Sequence, residues 1–156
     1  MEPSPEEGQR RMARFADVLR AARLKRTPQR MHIFQAVAKA GDHPDAVQAW
    51  KHVCRTMSNV SLDTVYRTLW LFVDLGLIKT LGPPRERTRF DSNVELHHHF
   101  VCNQCGKACD VLSQDFAEPE IPPAVSSLGR VELTVVEFRG SCASCLAAKA
   151  CETAPE

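Results

Sequence analysis

Residues 91–110, with the sequence DSNVELHHHFVCNQCGKACD, place three consecutive histidines and a Cys-x-x-Cys pair between two aspartates. The histidines and the residues up to the first cysteine include aromatic and β-branched side chains and no Gly or Pro, which predicts a strand. Because side chains alternate along a strand, we expect His97 and His99 on one face. His98 and Cys102 then lie on the other face. The segment therefore predicts two separate metal sites, one closed and structural and one open and responsive.

The cysteine spacing predicts the structural site. Two Cys-x-x-Cys pairs are separated by 36 residues, and four thiolates in two such pairs form a closed tetrahedral site that selects zinc. A thioredoxin-type redox pair and unrelated cysteines are the alternatives, but no βαβ pattern supports the redox reading. Strand alternation turns Cys109 away from Asp110, so we expect Cys109 to be a non-ligand. The predicted zinc ligands are Cys102, Cys105, Cys142 and Cys145.

Two carboxylates are available to complete a second site with His97 and His99. Asp91 lies just before the predicted strand, and Asp110 lies on the strand that returns after the first cysteine pair. Mixed imidazole and carboxylate ligation suits Fe(II) or Mn(II), although zinc competes for such ligands. The alternative is a solvated surface patch, because a run of histidines also occurs without a metal.

The composition indicates a soluble protein of one domain or two small ones. No run approaches 18 apolar residues, so we expect no transmembrane helix and no membrane partner. The first residues, MEPSPEEGQRR, lack the apolar core of an export signal. We therefore expect a cytoplasmic protein in which the seven cysteines are reduced, and where metal binding is favoured over disulfides.

The net charge of +1 conceals two halves of opposite sign. Residues 1–91 carry 16 basic and 10 acidic side chains and have a net charge of +6. Residues 92–156 carry 4 basic and 9 acidic side chains and have a net charge of −5. A basic half indicates nucleic acid or another anion as a partner. Six of the seven cysteines lie in the acidic half, so we place a domain boundary near residue 91.

The basic half has the pattern of amphipathic helices followed by two short strands. Apolar residues recur at helical spacing from about Arg10 to Arg23. Three further helices are expected to begin after the N-caps Thr27, Asp45 and Ser61. The segments LIKTL and RTRFD are then typical of a two-stranded ribbon. This order predicts a winged helix-turn-helix, and the alternative is a basic helical domain that contacts only solvent or protein.

The helix after Ser61 is the predicted recognition helix, which would enter the major groove of DNA. There Thr64 and Tyr66 offer apolar contact to thymine methyl groups, and Arg67 offers a contact to phosphate or guanine. Further arginines are expected to position the DNA backbone. The complete set of predicted DNA-binding residues is Arg26, Arg30, Ser61, Thr64, Tyr66, Arg67, Arg85 and Arg87.

Six segments match one family pattern: TPQR at 27–30, HPDA at 43–46, SLDTVYRTL at 61–69, RFD at 89–91, HHHFVCNQCGK at 97–107 and CASC at 142–145. Over about residues 10–146 the chain resembles the ferric uptake regulator (Fur) family of bacterial metal-dependent repressors. The resemblance implies an α+β fold with an N-terminal winged helix-turn-helix and a small C-terminal α/β dimerisation domain. It also implies a homodimer that binds palindromic double-stranded operator DNA, with no enzymatic activity.

The predicted organisation has four parts. They are a disordered N-terminus over 1–9, a winged-helix DNA-binding domain over 10–90, a dimerisation and metal-binding domain over 91–146, and a frayed tail over 147–156. Within the third part, the Pro- and Ser-rich segment 113–129 predicts at most a short helix near 124–128. Alternation of apolar residues over 131–140 predicts a strand.

The resemblance extends to the regulatory ligands. Carried over by position, these are His43, Asp91, His97, His99 and Asp110. Three histidines with two aspartates resemble the peroxide-sensing (PerR) branch, whereas the iron-sensing branch more often has glutamates at the carboxylate positions. In the peroxide-sensing branch, bound Fe(II) reacts with hydrogen peroxide and oxygen is added to a ligand histidine. By position, the oxidation-sensitive residues here are His43 and His97.

The family's iron-sensing branch has a second metal site that this chain is not expected to share. That site uses an aspartate where this chain has His98, and a histidine where it has Thr134. We therefore predict two kinds of metal, a structural Zn2+ on the cysteines and a regulatory Fe2+ or Mn2+ on the histidines and aspartates.

The ligand set implies a mechanism and leaves alternatives open. His43 belongs to the predicted DNA-binding domain and His97 to the other domain, so a shared metal would favour one orientation of the two and therefore DNA binding. Peroxide would release DNA by oxidising a ligand histidine. The alternatives are a plain Fe-, Mn- or Zn-responsive uptake regulator, a zinc-dependent hydrolase, and a zinc-ribbon interaction module that does not bind DNA.

Overall fold

The computed structural model describes residues 3–81, 88–111, 121–132 and 134–152. Its contacts divide the chain into two compact units, Met1–Val94 and Glu95–Glu156. Each unit has its own secondary structure, and the fold is α+β as predicted. Two of the predicted DNA-binding residues, Arg85 and Arg87, lie outside the described residues.

Four helices form most of the first unit: α1 Pro5–Ala21, α2 Pro28–Ala38, α3 Ala46–Cys54 and α4 Leu62–Asp74. The predicted N-caps are confirmed, since Thr27, Asp45 and Ser61 each accept a hydrogen bond from a backbone N–H three residues further on. Asp45 also forms a capping box, in which the side chain of Gln48 accepts from the Asp45 backbone N–H.

The first helix begins earlier than the apolar periodicity predicted. Ser4 accepts a hydrogen bond from the Glu7 backbone N–H at 3.2 Å, and Pro5 occupies the first helical position. The prediction that residues 1–9 are disordered is therefore wrong for residues 5–9, which form the first turns of α1. The periodicity missed them because these turns are polar and only the later turns bury apolar side chains.

Three phenylalanines from three helices meet in the core of the first unit. Phe15 of α1 stacks on Phe34 of α2 at a centroid distance of 4.6 Å, and the ring of Phe72 in α4 stands edge-on to both at 5.7 and 5.8 Å. All three side chains are buried, and burial of each stabilises the fold by roughly 1.5–3 kcal/mol. These contacts fix α4, and therefore its exposed face, relative to α1 and α2.

A two-stranded antiparallel ribbon follows α4. Its strands are β1 Lys79–Leu81 and β2 Arg89–Asp91. The register pairs Lys79 with Asp91 and Leu81 with Arg89. Helices followed by this ribbon give the predicted winged helix-turn-helix, and Asp91 is the last residue of its second strand.

The second unit is built on a three-stranded sheet with the order β4-β3-β5. Its elements are β3 His98–Cys102, β4 Ala108–Val111, α5 Pro123–Ser126, β5 Glu137–Gly140 and α6 Ala143–Glu152. β3 pairs antiparallel with β4 and parallel with β5. The predicted strand at the histidines and the predicted short helix near 124–128 are both confirmed.

Two predictions about the second unit are corrected by the structure. The strand predicted over 131–140 is reduced to Glu137–Gly140, because its partner β3 is only five residues long and begins at His98. The tail predicted to fray from Ala147 continues as helix α6 to Glu152. Leu146, Ala147 and Ala148 are strong helix formers, which favours this continuation. Within the described residues, no helix is both long enough and apolar enough to span a membrane.

Candidate metal centres

The four predicted zinc ligands lie together in the second unit. Their sulfur atoms are all within 4.8 Å of one another, and the Cys102–Cys145 and Cys105–Cys142 sulfur distances are 3.9 and 3.8 Å. Four sulfurs at about 2.3 Å from a tetrahedral zinc ion lie about 3.8 Å apart. The spacing therefore fits a closed zinc site.

A turn and the start of a helix bring the two cysteine pairs together. Cys102 ends β3, and the chain reverses there because the Gly106 N–H donates to the Cys102 carbonyl and the Cys102 N–H to the Lys107 carbonyl. Gly106 has a φ of +68°, a conformation that favours glycine. The second pair lies at the start of α6, with Cys142 just before the helix and Cys145 in its first turn. Next to it, the Asn103 N–H donates to the Gly140 carbonyl at 2.8 Å. The parallel pairing of β3 with β5 therefore places one cysteine pair beside the other.

Backbone N–H groups favour the thiolate form of two of these cysteines. Those of Cys105 and then Cys142 lower the pKa of Cys102 to about 6, and the Cys142 N–H lies 3.3 Å from the Cys102 sulfur. The Cys145 N–H likewise lowers the pKa of Cys142. Interactions with the neighbouring sulfurs of Cys142 and then Cys105 raise the pKa of Cys145 to about 12. A divalent cation would allow all four to be thiolates.

The second unit also holds three of the predicted regulatory ligands. The rings of His97 and His99 lie 4.4 Å apart between centroids, as strand alternation predicted. His99 pairs with Asp110 across β3 and β4. The Asp110 Oδ1 lies 3.2 Å from the His97 Nε2 and 3.8 Å from the His99 Nε2. Both histidines are buried and Asp110 is half-buried.

A hydrogen bond orients one of these imidazoles. The His97 Nδ1 lies 2.9 Å from the Glu95 carbonyl oxygen, which only accepts, so Nδ1 carries a proton. The Nε2 of the same ring then faces the Asp110 carboxylate. A lone pair and an anion at this distance favour a proton or a metal cation between them, and a histidine oriented through its other nitrogen is typical of metal ligands.

The first unit holds the other two predicted regulatory ligands. The His43 Nδ1 and the Asp91 Oδ1 are 3.4 Å apart, and both side chains are buried. The Asp91 Oδ1 also accepts a hydrogen bond of 2.7 Å from the Asn93 N–H, which orients the carboxylate. Burying a carboxylate is costly without positive charge nearby, so this pair also has the chemistry of a cation site.

His98 lies in β3 and Cys109 lies in β4, the strands that carry His99 and Asp110. Neither residue belongs to the four-cysteine group or to the histidine–aspartate group. His98 is buried, and its Nδ1 accepts a hydrogen bond of 3.2 Å from the Val136 N–H. It therefore secures the chain leading into β5. Cys109 is half-buried and pairs with Phe100 across the sheet.

The predicted recognition helix exposes part of its predicted DNA-binding set. Tyr66 is 49% exposed, and the exposed Arg67 lies 3.8 Å from Asp63 one turn away. Thr64 is half-buried and shares a hydrogen bond of 2.8 Å with the Ser61 hydroxyl. Ser61 therefore organises the start of α4 as well as lying at its exposed end.

The two predicted DNA-binding arginines near the start of α2 differ in exposure. Arg26 is exposed. Arg30 is half-buried, and its Nη1 donates to the Lys25 carbonyl at 2.7 Å. Arg30 therefore stabilises the turn that carries Arg26, in addition to any contact of its own with a partner.

Two residues of the first unit, His43 and Arg89, have no local signal in the sequence for the positions they occupy beside Asp91. His43 lies far from the His97 segment in sequence, and only the family resemblance supplied it. Arg89 belongs to the RFD segment, but the sequence alone predicts no role for it. The structure brings its guanidinium to the backbone of residues 42 and 43. Contacts of a side chain with backbone carbonyls leave no pattern in the sequence.

Comparison with known proteins decides the family. The model of the ferric uptake regulator family matches residues 21–123. The chain belongs to the ferric uptake regulator family. It is 36% identical over 92 residues to the peroxide-responsive repressor PerR of Staphylococcus aureus, an alignment that covers 59% of this chain and 62% of that protein. The chain thus spans about three fifths of the length of the curated relatives it matches.

Solved structures show the same fold. The Helicobacter pylori ferric uptake regulator, described with three functional metal-binding sites, superposes with a TM-score of 0.74 at 18% identity, covering 89% of this chain and 93% of that one. The Campylobacter jejuni peroxide stress regulator gives a TM-score of 0.63 at 25% identity, covering 83% and 98%. Members of this family are regulators rather than enzymes, and nothing in these comparisons supports the zinc-hydrolase alternative.

Proposed function

We propose that this Fur-family protein is a metal-dependent transcriptional repressor that binds palindromic operator DNA as a homodimer in the cytoplasm. The observation that carries the proposal is the chemistry of the five expected regulatory ligands, which are imidazoles and carboxylates with short nitrogen–oxygen distances within each unit; all but the half-buried Asp110 are buried. Burial of carboxylates beside imidazoles is costly unless a cation compensates them.

The proposal assigns two metals to the chain. Cys102, Cys105, Cys142 and Cys145 hold a structural Zn2+, which their sulfur spacing supports. The regulatory ligands hold Fe2+ or Mn2+, for which mixed nitrogen and oxygen donors are suitable. In this scheme residues 10–90 are the DNA-binding domain and residues 91–146 are the dimerisation domain, and Asp91 lies at their junction, among the last residues of the first unit.

The regulatory metal would act by linking the two domains. His43 and Asp91 belong to the first unit, whereas His97, His99 and Asp110 belong to the second. A cation bound by both sets favours the one arrangement of the domains in which all five can reach it. In a homodimer that arrangement sets the distance between the two recognition helices, which must match the spacing of the operator half-sites.

DNA contacts are proposed for the exposed end and face of α4 and for the basic residues around it. Tyr66, Thr64 and Arg67 would contact base edges or phosphate, and Ser61 lies at the helix N-terminus, where phosphate is favoured. The remaining residues would contact the DNA backbone, and they are Arg26, Arg30, Arg85 and Arg87.

Fluorescence anisotropy with operator DNA tests the proposal. We expect Mn2+ to increase the affinity of zinc-loaded protein for operator DNA by at least about tenfold, a coupling of the usual size for allosteric proteins. Binding should also weaken steeply as salt rises, because phosphate contacts release counterions. Affinity that is independent of both Mn2+ and salt would contradict the proposed function.

We further propose that hydrogen peroxide relieves repression. The set of three histidines and two aspartates supports this, as does similarity to a peroxide-responsive repressor. Fe(II) bound at the site would supply the reaction with peroxide that adds an oxygen atom to a ligand histidine. The residues proposed to be oxidised are His43 and His97. The His97 imidazole is held in place by its bond to the Glu95 carbonyl.

Mass spectrometry distinguishes peroxide sensing from plain metal sensing. Fe(II)-loaded protein would be treated anaerobically with one equivalent of peroxide, digested, and compared with Mn(II)-loaded protein as the control. We expect a gain of one oxygen atom in the peptide containing His43 or His97, with loss of DNA binding in parallel. Intact histidines and unchanged DNA binding would instead indicate an iron-, manganese- or zinc-responsive uptake regulator.

A further inference from the structure

The turn that carries His43 has an unusual backbone. His43 has a φ of +49°, in the left-handed region that residues other than glycine rarely adopt. The residue is also buried, with 4% of its surface exposed. Such a conformation persists only where surrounding contacts hold it, and it concentrates at functional sites.

Arg89 supplies the contacts that hold this turn. Its Nη1 donates hydrogen bonds to the Asp42 carbonyl at 3.0 Å and to the His43 carbonyl at 2.9 Å. The backbone adds two further links, because the Phe90 N–H donates to the Pro44 carbonyl at 3.0 Å and Asp45 forms a bridge with Arg89. The turn is therefore attached to β2 through Arg89 and the residue after it.

The same strand carries the partner of His43. Asp91 follows Arg89 by two residues on β2, and its Oδ1 lies 3.4 Å from the His43 Nδ1. Strand β2 thus provides one proposed ligand, Asp91, and also the Arg89 side chain, which fixes the turn that carries a second proposed ligand, His43. We propose that Arg89 is a positioning residue for the regulatory metal, which holds the His43 turn so that its imidazole faces the Asp91 carboxylate. This inference rests on the proposed function.

The test compares the Mn2+ dissociation constants of variants in the zinc-loaded, full-length protein, by competition with a fluorescent chelator. Arg89→Ala should weaken Mn2+ binding by roughly 10- to 100-fold, the usual effect of removing an outer-shell contact. Arg89→Lys should cause a smaller loss, roughly threefold, because a single ammonium keeps the charge but bonds two carbonyls less well.

Arg14→Ala is the matched control. The Arg14 Nη2 also donates to a backbone carbonyl in the first unit, that of Gly76 at 2.7 Å, and Gly76 also has a positive φ. This variant loses a comparable arginine–carbonyl bond away from the His43 turn. We expect its Mn2+ affinity to equal that of the parent protein.

A double variant separates positioning from general destabilisation. If Arg89 acts through His43, adding Arg89→Ala to His43→Ala should weaken Mn2+ binding no further. Equal losses in Arg14→Ala and Arg89→Ala, or additive losses in the double variant, would overturn the inference. If Arg89→Ala does not fold, Arg89→Lys alone and combined with His43→Ala decides by the same criterion.

The outcomes also separate this inference from the proposed function. Parent protein that binds Mn2+, with binding weakened in His43→Ala but unchanged in Arg89→Ala, would overturn only the role of Arg89. Parent protein whose Mn2+ affinity is unaffected by His43→Ala would overturn the proposed regulatory site, and the positioning role with it. The zinc content of every variant, measured in parallel, verifies that the second unit is intact.

Discussion

The two candidate metal centres differ in where their ligands originate. All four cysteines belong to the second unit and close on one another through a strand end, a turn and the start of a helix. The histidines and carboxylates are divided between the two units. A site contained in one unit can stabilise that unit but cannot report on the other. Under the proposed function, the regulatory metal would bind ligands from both units, so its occupancy would be linked to domain arrangement.

The strongest test of this comparison is removal of one thiolate. Cys102→Ser should abolish zinc binding, and because structural zinc contributes on the order of 10 kcal/mol to folding, the second unit should unfold and the dimer dissociate. Zinc content and sedimentation velocity measure both effects. Cys109→Ser, a neighbouring cysteine outside the four-sulfur cluster, should leave both unchanged. A dimer that survives complete zinc removal would show that this centre is not structural.

Loss of a regulatory ligand should leave the zinc centre intact. His97→Ala should weaken Mn2+ binding by more than roughly 100-fold, exceeding the usual cost of outer-shell changes, while one zinc ion per chain remains. Isothermal titration calorimetry and metal analysis provide the two measurements. Joint loss of zinc and Mn2+ would mean that the two centres are not independent.

His98→Ala is the control for His97→Ala. His98 is the next residue in sequence and is also buried, but its Nδ1 accepts from the Val136 N–H. Removing that acceptor should lower the free energy of unfolding by about 1–3 kcal/mol and leave the Mn2+ affinity unchanged. Weaker Mn2+ binding in this variant would place His98 in the regulatory site.

DNA contacts should be separable from both metal centres. Tyr66→Ala removes an exposed side chain of α4 and should weaken operator binding by roughly 5- to 100-fold, with zinc and Mn2+ contents unchanged. Arg67→Ala should have a similar effect and a shallower salt dependence if the arginine contacts phosphate. Anisotropy titrations at several salt concentrations measure both. Unchanged binding in both variants would favour the zinc-ribbon interaction module.

Lowering the pH should remove Mn2+ from the regulatory site before it removes zinc from the cysteines, and this is the smallest of the expected effects. Protons compete with Mn2+ for imidazole and carboxylate ligands, so Mn2+ affinity should fall by at least about tenfold between about pH 7.5 and about pH 5.5. Zinc bound by four thiolates contributes roughly 10–16 kcal/mol at neutral pH, and backbone N–H groups favour the Cys102 thiolate by lowering its pKa to about 6, so zinc should be lost only after Mn2+ as the pH falls. Metal analysis after dialysis at each pH measures both. Earlier loss of zinc would contradict this order.

Local patterns made much of the architecture predictable. Three helix starts follow from side-chain caps at Thr27, Asp45 and Ser61, and the cysteine cluster follows from two short pairs. The start of α1 carried the same kind of signal, with Ser4 three residues before Glu7, but apolar periodicity gave it no weight. Predictions were reliable where one local interaction determines the structure.

Non-local features were less accessible from the sequence. The length of β5 depends on how many residues β3 offers it, which no pattern within 131–140 encodes. His43 was identified only through the family resemblance, because nothing near it in sequence suggests a ligand. The contacts of Arg89 depend on backbone carbonyls brought close by folding. These features require the three-dimensional arrangement.

The separation of the two cysteine pairs has a consequence for synthesis. Cys105 precedes its sulfur neighbour Cys142 by 37 residues, and at roughly 5–20 residues per second a ribosome needs on the order of 2–7 s to add them. During that interval the first pair is an open dithiol, and β3 lacks its parallel neighbour β5. Correct metal loading therefore depends on which thiol-seeking ions and oxidants the nascent chain meets, as well as on the affinity of the finished site.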